Sequence, residues 1–159
     1  MTNLERMIAL ADQFFEAKND PDQIVVDEAV RQKLRSIHPA TLGETSDENG
    51  PIAWLLLVPA THERMEQFIR GEIGERGLLE ATAPGVRYEA IYLCSALVLP
   101  EHRGKGLARR LALDSIRSIQ ANHPIRELFV WAFSEAGLRL AESLARDVGL
   151  PLYRRKDRT

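Results

Sequence analysis

The chain is short of cysteine. Its 159 residues include only Cys94, so no disulfide can form within it and no cysteine cluster can hold a metal. Single-sign charge is also missing. The formal net charge is -2 and the pI about 6.1, which argues against a nucleic-acid binder by bulk charge. No long apolar run is present. The longest, Ile52 to Ala60, is interrupted by Pro59 and falls far below the ~20 residues that span a bilayer. The first residues lack a basic stretch followed by an apolar one, so no signal peptide is expected. Nor is there an internal repeat, a low-complexity segment or a flexible linker. These absences point to one ordinary domain, expected to be soluble, cytoplasmic and off the membrane.

What is present is a succession of periodic segments. Thr2-Asn3-Leu4-Glu5 has capping-box spacing. Leu4, Met7, Ile8, Ala11, Phe14 and Phe15 follow at helical spacing, with a stop expected at Asn19-Asp20-Pro21. Val26, Val30, Leu34 and Ile37 mark a second helix before His38-Pro39. Ala40 to Glu44 and Pro51 to Val58 read as strands joined through Asn49-Gly50, the second apolar on both faces as a central strand is. Thr61 is placed to cap a helix running to about Gly74. Tyr88 to Leu99 is the longest strand candidate. A helix from about Leu107 to Gln120, a strand from Glu127 to Phe133, a helix from about Glu135 to Val148 and a strand near Leu150 to Arg154 complete the order. The basic tail Arg154-Arg155-Lys156-Asp157-Arg158 reads as solvated. The pattern is α/β or α+β around one mixed sheet.

The informative stretch is Val98-Leu99-Pro100-Glu101-His102-Arg103-Gly104-Lys105-Gly106-Leu107-Ala108. A buried strand ends, a glycine-bearing turn follows and a helix begins. The first N–H groups of a helix lack partners inside it, and the helix dipole adds positive charge at the same end. Together they suit a phosphate, and glycine lets it approach the backbone. Arg103, Lys105, Arg109 and Arg110 add full charges around this mouth. The same residues also fit a plain glycine turn with solvated cations. The pattern is neither a P-loop nor a dinucleotide fingerprint, because the glycine spacing is wrong for both.

Arg103-Gly104-Lys105-Gly106-Leu107-Ala108 resembles the acetyl-CoA motif of the GCN5-related N-acetyltransferases: Arg or Gln, two residues, Gly, one residue, Gly or Ala. Val98-Leu99-Pro100-Glu101-His102 is similar to the family's lead-in from its fourth strand, and the likeness extends from Tyr88 to about Leu150. It implies a mixed, mostly antiparallel sheet flanked by helices. The whole chain, 1–159, would form one such domain, with an atypical helical N-terminal segment over about 1–38. It implies acetyl-CoA as co-substrate, without a metal, and direct transfer of the acetyl group to a primary amine on a small molecule or a protein. The pyrophosphate would rest on the N–H groups of Arg103, Gly104, Lys105, Gly106, Leu107 and Ala108. The pantetheine arm would lie in a split beside the strand ending at Leu99, pairing with main-chain groups of Leu97, Val98 and Leu99. The N–H of Val98 would polarise the thioester carbonyl. A homodimer is the other association considered.

The sequence departs from the family in three places. The tyrosine that many members use to protonate the departing thiolate falls, counting back from Gly149, at Ala145. Ser134, Ser143, Tyr92 or water would have to substitute, and a CoA-binding module without turnover becomes the alternative reading. The glutamate base of some members falls near Ile91, with Glu89 two residues earlier as a candidate base or as a charged residue at a strand's exposed start. Two helices, not a strand, open the chain. Cys94, mid-strand, reads as a buried thiol rather than a nucleophile, and His38, His62, His102 and His123 show no metal-ligand spacing. Trp54 and Trp131 read as core residues, the second on the edge of the expected split.

Overall fold

Thr2 and Glu5 open the first helix with reciprocal bonds. The N–H of Glu5 donates to Thr2 Oγ1, and the N–H of Thr2 donates to the Glu5 carboxylate, both at 3.1 Å. The computed structural model describes residues 1–18 and 22–156. Helix α1 covers Asn3–Lys18, and its expected stop at Asn19-Asp20-Pro21 lies outside the described residues. Asp27 caps α2 (Glu28–Ile37), accepting from the N–H of Val30 at 2.8 Å. Strands β1 (Leu42–Asp47) and β2 (Gly50–Ala60) form the expected hairpin, longer than read from sequence. Its turn is held by Asp47, which accepts from the N–H of Asn49 at 2.8 Å.

Thr61 caps α3 (His62–Ile69), as its position suggested. The single helix expected up to Gly74 is instead two. The chain turns at Gly71, where φ is 80°, and α4 (Glu75–Ala81) begins again after Gly74. The remaining elements are β3 (Ala90–Val98), α5 (Leu107–Gln120), β4 (Glu127–Val130), α6 (Glu135–Val148) and β5 (Leu152–Arg154). Ser134 caps α6, and Gly149, at φ 69°, ends it.

The five strands lie in the order β1-β2-β3-β4-β5. β1–β2 and β2–β3 are antiparallel, whereas β3–β4 and β4–β5 are parallel. The sheet is thus mixed: its antiparallel ladders are the longer ones, and β4 and β5 enter parallel. The reason is connectivity: α5 and α6 carry the chain back along the sheet, so each following strand enters in the direction of its predecessor.

Residues opposite each other in the ladder share a face. Gly43, Leu55 and Ala96 form one such row, with Leu111 of α5 against Gly43. Glu44, Trp54 and Leu97 form a row on the other face, beside α1. The core runs through both sides of β2 and β3, from Leu34 to Phe68, Phe129 and Ile116. The solvated-tail reading fails at Arg155. Its guanidinium lies 3.7 Å from the centre of the Trp131 ring and donates to the carbonyl of Ile73 at 2.8 Å. Asp157 and Arg158 lie outside the described residues. Among the described residues no helix is long and apolar enough to cross a membrane.

Candidate active site

The predicted phosphate turn has the backbone its glycines suggested. Gly104 and Gly106 adopt φ 78° and 75°, a left-handed conformation that costs other residues about 1–2 kcal/mol. Gly106 is also the residue preceding α5, and it contributes no side chain to cap that helix. The first N–H groups of α5 are therefore left to the space before the turn. A Cβ at either glycine would meet no atom within 4 Å, so this face is open.

The charges around the turn divide into three roles. Lys105 and Arg110 are exposed. Arg103 is anchored instead, its Nε donating to the carbonyl of Val98 at 3.0 Å. Arg109 is drawn away onto α6, donating to Ser143 Oγ at 3.0 Å and pairing with Asp147, which removes it from the expected cationic mouth. Glu101 receives a two-pronged bond from Arg6 of α1 at 2.6 and 2.7 Å, and this bond holds its carboxyl down to about 2. The turn is thereby tied to α1, which sequence reasoning did not connect to it.

The strand leading to the turn opens away from its neighbour. β3 and β4 pair only from Ala90 opposite Glu127 to Leu93 opposite Val130. β4 ends there, while β3 continues to Val98. Trp131, expected within the strand, is the first residue beyond it. At the same point β3 carries a bulge against β2. Leu57 faces Leu93 and Leu56 faces Ser95, so Cys94 has no opposite number. A cavity of about 270 Å³ fills the split. Leu93 to Ala96 form one wall and Val130 to Ser134 the other, and α5 and α6 face it largely with Ala108, Ala112, Gly137 and Ala141. These small residues are what leave the space.

The ladder decides which main-chain groups of β3 face the split. The N–H of Leu99 donates to Ile52 at 3.0 Å, which makes Val98 and Ala53 a non-hydrogen-bonded pair. By alternation Leu97 bonds to Trp54, and the N–H and C=O groups of Ala96 and Val98 point away from β2. The Arg103 bond to the Val98 carbonyl agrees with that direction. Of the three residues expected to offer main-chain groups, Val98 does, while Leu97 and Leu99 are committed to β2. Ala96, which lines the cavity, was missed.

Three further expectations are corrected by position. Glu89 precedes β3, at the end of the strand far from the turn, and pairs with Arg126 at 2.9 Å. The structure does not bring it to the split. Ser143 is held by Arg109, so Ser134 is the α6-side hydroxyl that lines the cavity. Tyr92 is fully buried, donating to the carboxylate of Glu75 at 2.6 Å, and the thiol of Cys94 approaches the same oxygen at 3.5 Å. Glu75, on a helix not foreseen, is itself 0% exposed. Ala145 is buried on α6, and no tyrosine among the described residues lines the cavity. His62 sits apart, between Glu127 at 2.7 Å and Glu66 at 2.5 Å. The hydrogen bond to Glu127 raises it above the usual imidazole range.

A second cavity, about 480 Å³, lies between α1, α2 and the sheet. It is lined by Phe15, Trp54 and Leu97 and shares Leu55 and Ser95 with the first. The two spaces therefore converge beside the bulge. Glu44 fixes the Trp54 ring by accepting from its Nε1–H at 2.7 Å. Compared with protein-family models, curated proteins and solved structures, the chain matches none.

Proposed function

We propose that the protein is an acetyl-CoA-dependent N-acetyltransferase of the GCN5-related type. One observation carries the reading: the bulge at Cys94, the end of β3–β4 pairing and a cavity lined by Ala96 all fall at one point, below a glycine turn that opens α5. A bulge and a split together free a run of strand edge, which an extended ligand such as a pantetheine arm can pair with.

Within this reading the chain's own groups have distinct tasks. The first N–H groups of α5, with Lys105 and Arg110, hold the pyrophosphate. The freed main chain of Val98 and Ala96 aligns the arm. Ala96 rather than Val98 polarises the thioester, because it pairs with Leu55, a residue shared by both cavities. The amine nitrogen attacks the carbonyl carbon, a C–N bond forms, the C–S bond breaks with its electrons on sulfur, and the nitrogen releases a proton to water. A thiol of pKa about 8.5 is a fair leaving group without a dedicated acid. Cys94 takes no part, since its thiol is directed at Glu75. Most of the acceleration comes from holding two substrates together.

The test is calorimetry with CoA, followed by thiol release from acetyl-CoA over a panel of primary amines. Absence of CoA binding would refute the reading. A second reading, a CoA-binding module without turnover, is favoured by Ala145 at the tyrosine position. Binding without thiol release from any amine would establish it instead.

A further inference from the structure

The second cavity carries charges that the proposed acetyl transfer does not use. Arg31 and Arg35 stand one turn apart on α2, on the same face of the helix, and both line this cavity from exposed positions. Arg31 makes only a 3.9 Å contact with Glu28, and no ion pair engages Arg35 among the described residues. Of the two carboxylates on the same lining, Glu44 is already committed to Trp54. Two guanidinium groups thus face one uncommitted carboxylate, Asp12. The same lining includes Ser95, which is common to both cavities. It also carries the rings of Phe15 and Trp54, the second held in orientation by Glu44.

A ligand fitted to this arrangement has three parts. Its amine lies inward at Ser95, its apolar body against Trp54 and Phe15, and an anionic group outward at the two arginines. We infer that the acceptor is an amine whose apolar body ends in a carboxylate, of the size of a short apolar peptide. A volume of about 480 Å³ accommodates such a molecule and is ordinary for a small-ligand site. A guanidinium binds a carboxylate through two parallel N–H donors, which ammonium groups cannot do, and it repels a polyamine of the same length. The inference rests on the proposed acyl transfer for the direction of the amine, but the arginine site is open to measurement without it.

The probes are leucyl-phenylalanine and its C-terminal amide, which differ only in the terminal charge. Binding is followed by tryptophan fluorescence without coenzyme, with Trp54→Phe as the control that assigns the signal. The acid should bind at least roughly fivefold more tightly than the amide, as a charge-assisted pair at a partly exposed site allows. The double variant Arg31→Gln/Arg35→Gln should remove that preference, because Gln keeps the helix propensity of Arg and loses only the charge. With acetyl-CoA present, the same preference should appear in kcat/KM, and CoA affinity should not change in the variant. Equal binding of acid and amide, or a preference that survives the double variant, overturns the inference. So does tighter binding of spermidine than of the acid. Loss of CoA binding in the unaltered protein overturns the acetyltransferase reading alone, since the fluorescence preference does not depend on it.

Discussion

Arg103 reaches back across the turn to the strand it has just left, its Nε 3.0 Å from the carbonyl oxygen of Val98. The bond fixes the path of the chain between the split and the glycine turn, so Arg103 acts through geometry as well as charge. Arg103→Ala is expected to weaken CoA binding roughly tenfold. Part of that loss should persist at 1 M salt, where a charge acting through solvent is screened within about 3 Å. Arg103→Lys should not restore affinity, because an ammonium lacks the planar fork. A loss that vanishes at high salt, or a full rescue by lysine, would reduce Arg103 to a diffuse charge.

Gly106 holds φ 75° with nothing within 4 Å of a Cβ built on it. Gly106→Glu would place a carboxylate where the diphosphate is proposed to approach, at a backbone strain of about 1–2 kcal/mol. CoA affinity should drop by roughly a hundredfold or more, with an unchanged circular dichroism spectrum. Retained affinity in a folded variant would remove the turn from the binding site.

Tyr92 and Glu75 form a wholly buried bond at 2.6 Å. Tyr92→Phe is expected to lower stability by about 1–3 kcal/mol in urea unfolding. It should leave the pH profile of kcat/KM intact, rising with amine deprotonation to a plateau. If wild type shows a falling limb at high pH that this variant lacks, Tyr92 is the acid after all.

His62 offers a pH test independent of catalysis. Its hydrogen bond to Glu127, with Glu66 on its other nitrogen, raises its pKa above 6.5 in the folded state. The stabilisation is therefore complete below the unfolded value and lost as pH rises through the folded one. The Tm advantage of wild type over His62→Gln should be largest near pH 5.5 and shrink toward pH 9. An advantage that grows with pH would contradict the ion-pair account.

The legible parts of this fold are the local ones. Thr2 with Glu5, Thr61 and Asn49-Gly50 each satisfy their own backbone within a few residues, the turn from Arg103 to Leu107 is set by its own glycines, and each was readable in order. What escaped depends on distant partners. A strand apolar on both faces has no alternation to interrupt, so the unmatched Cys94 leaves no trace in composition. Ala96 is singled out only by its register against Leu55, about forty positions away in the chain. Glu75 reads as a surface residue until Tyr92 and Cys94 are placed over it. Glu89 was open to two readings, and its place just before β3, paired with Arg126, fits the charged residue at a strand's start, because the sequence does not say which end of β3 lies near the turn.

Helix α1 is a partition shared by two rooms. Phe14 faces the split, Phe15 the second cavity, and the helix is fastened at its start by Asn3 to Asp47 and by Arg6 to Glu101. Ligands held on either side of this partition would be linked thermodynamically wherever it responds to either one. Whatever factor the first confers on the affinity of the second is returned by the second to the first. Cutting the clamp by Arg6→Ala should bring that factor toward one while each ligand alone binds nearly as before. Titrating each in the presence and absence of the other measures it, and an unchanged factor would show that the partition transmits nothing.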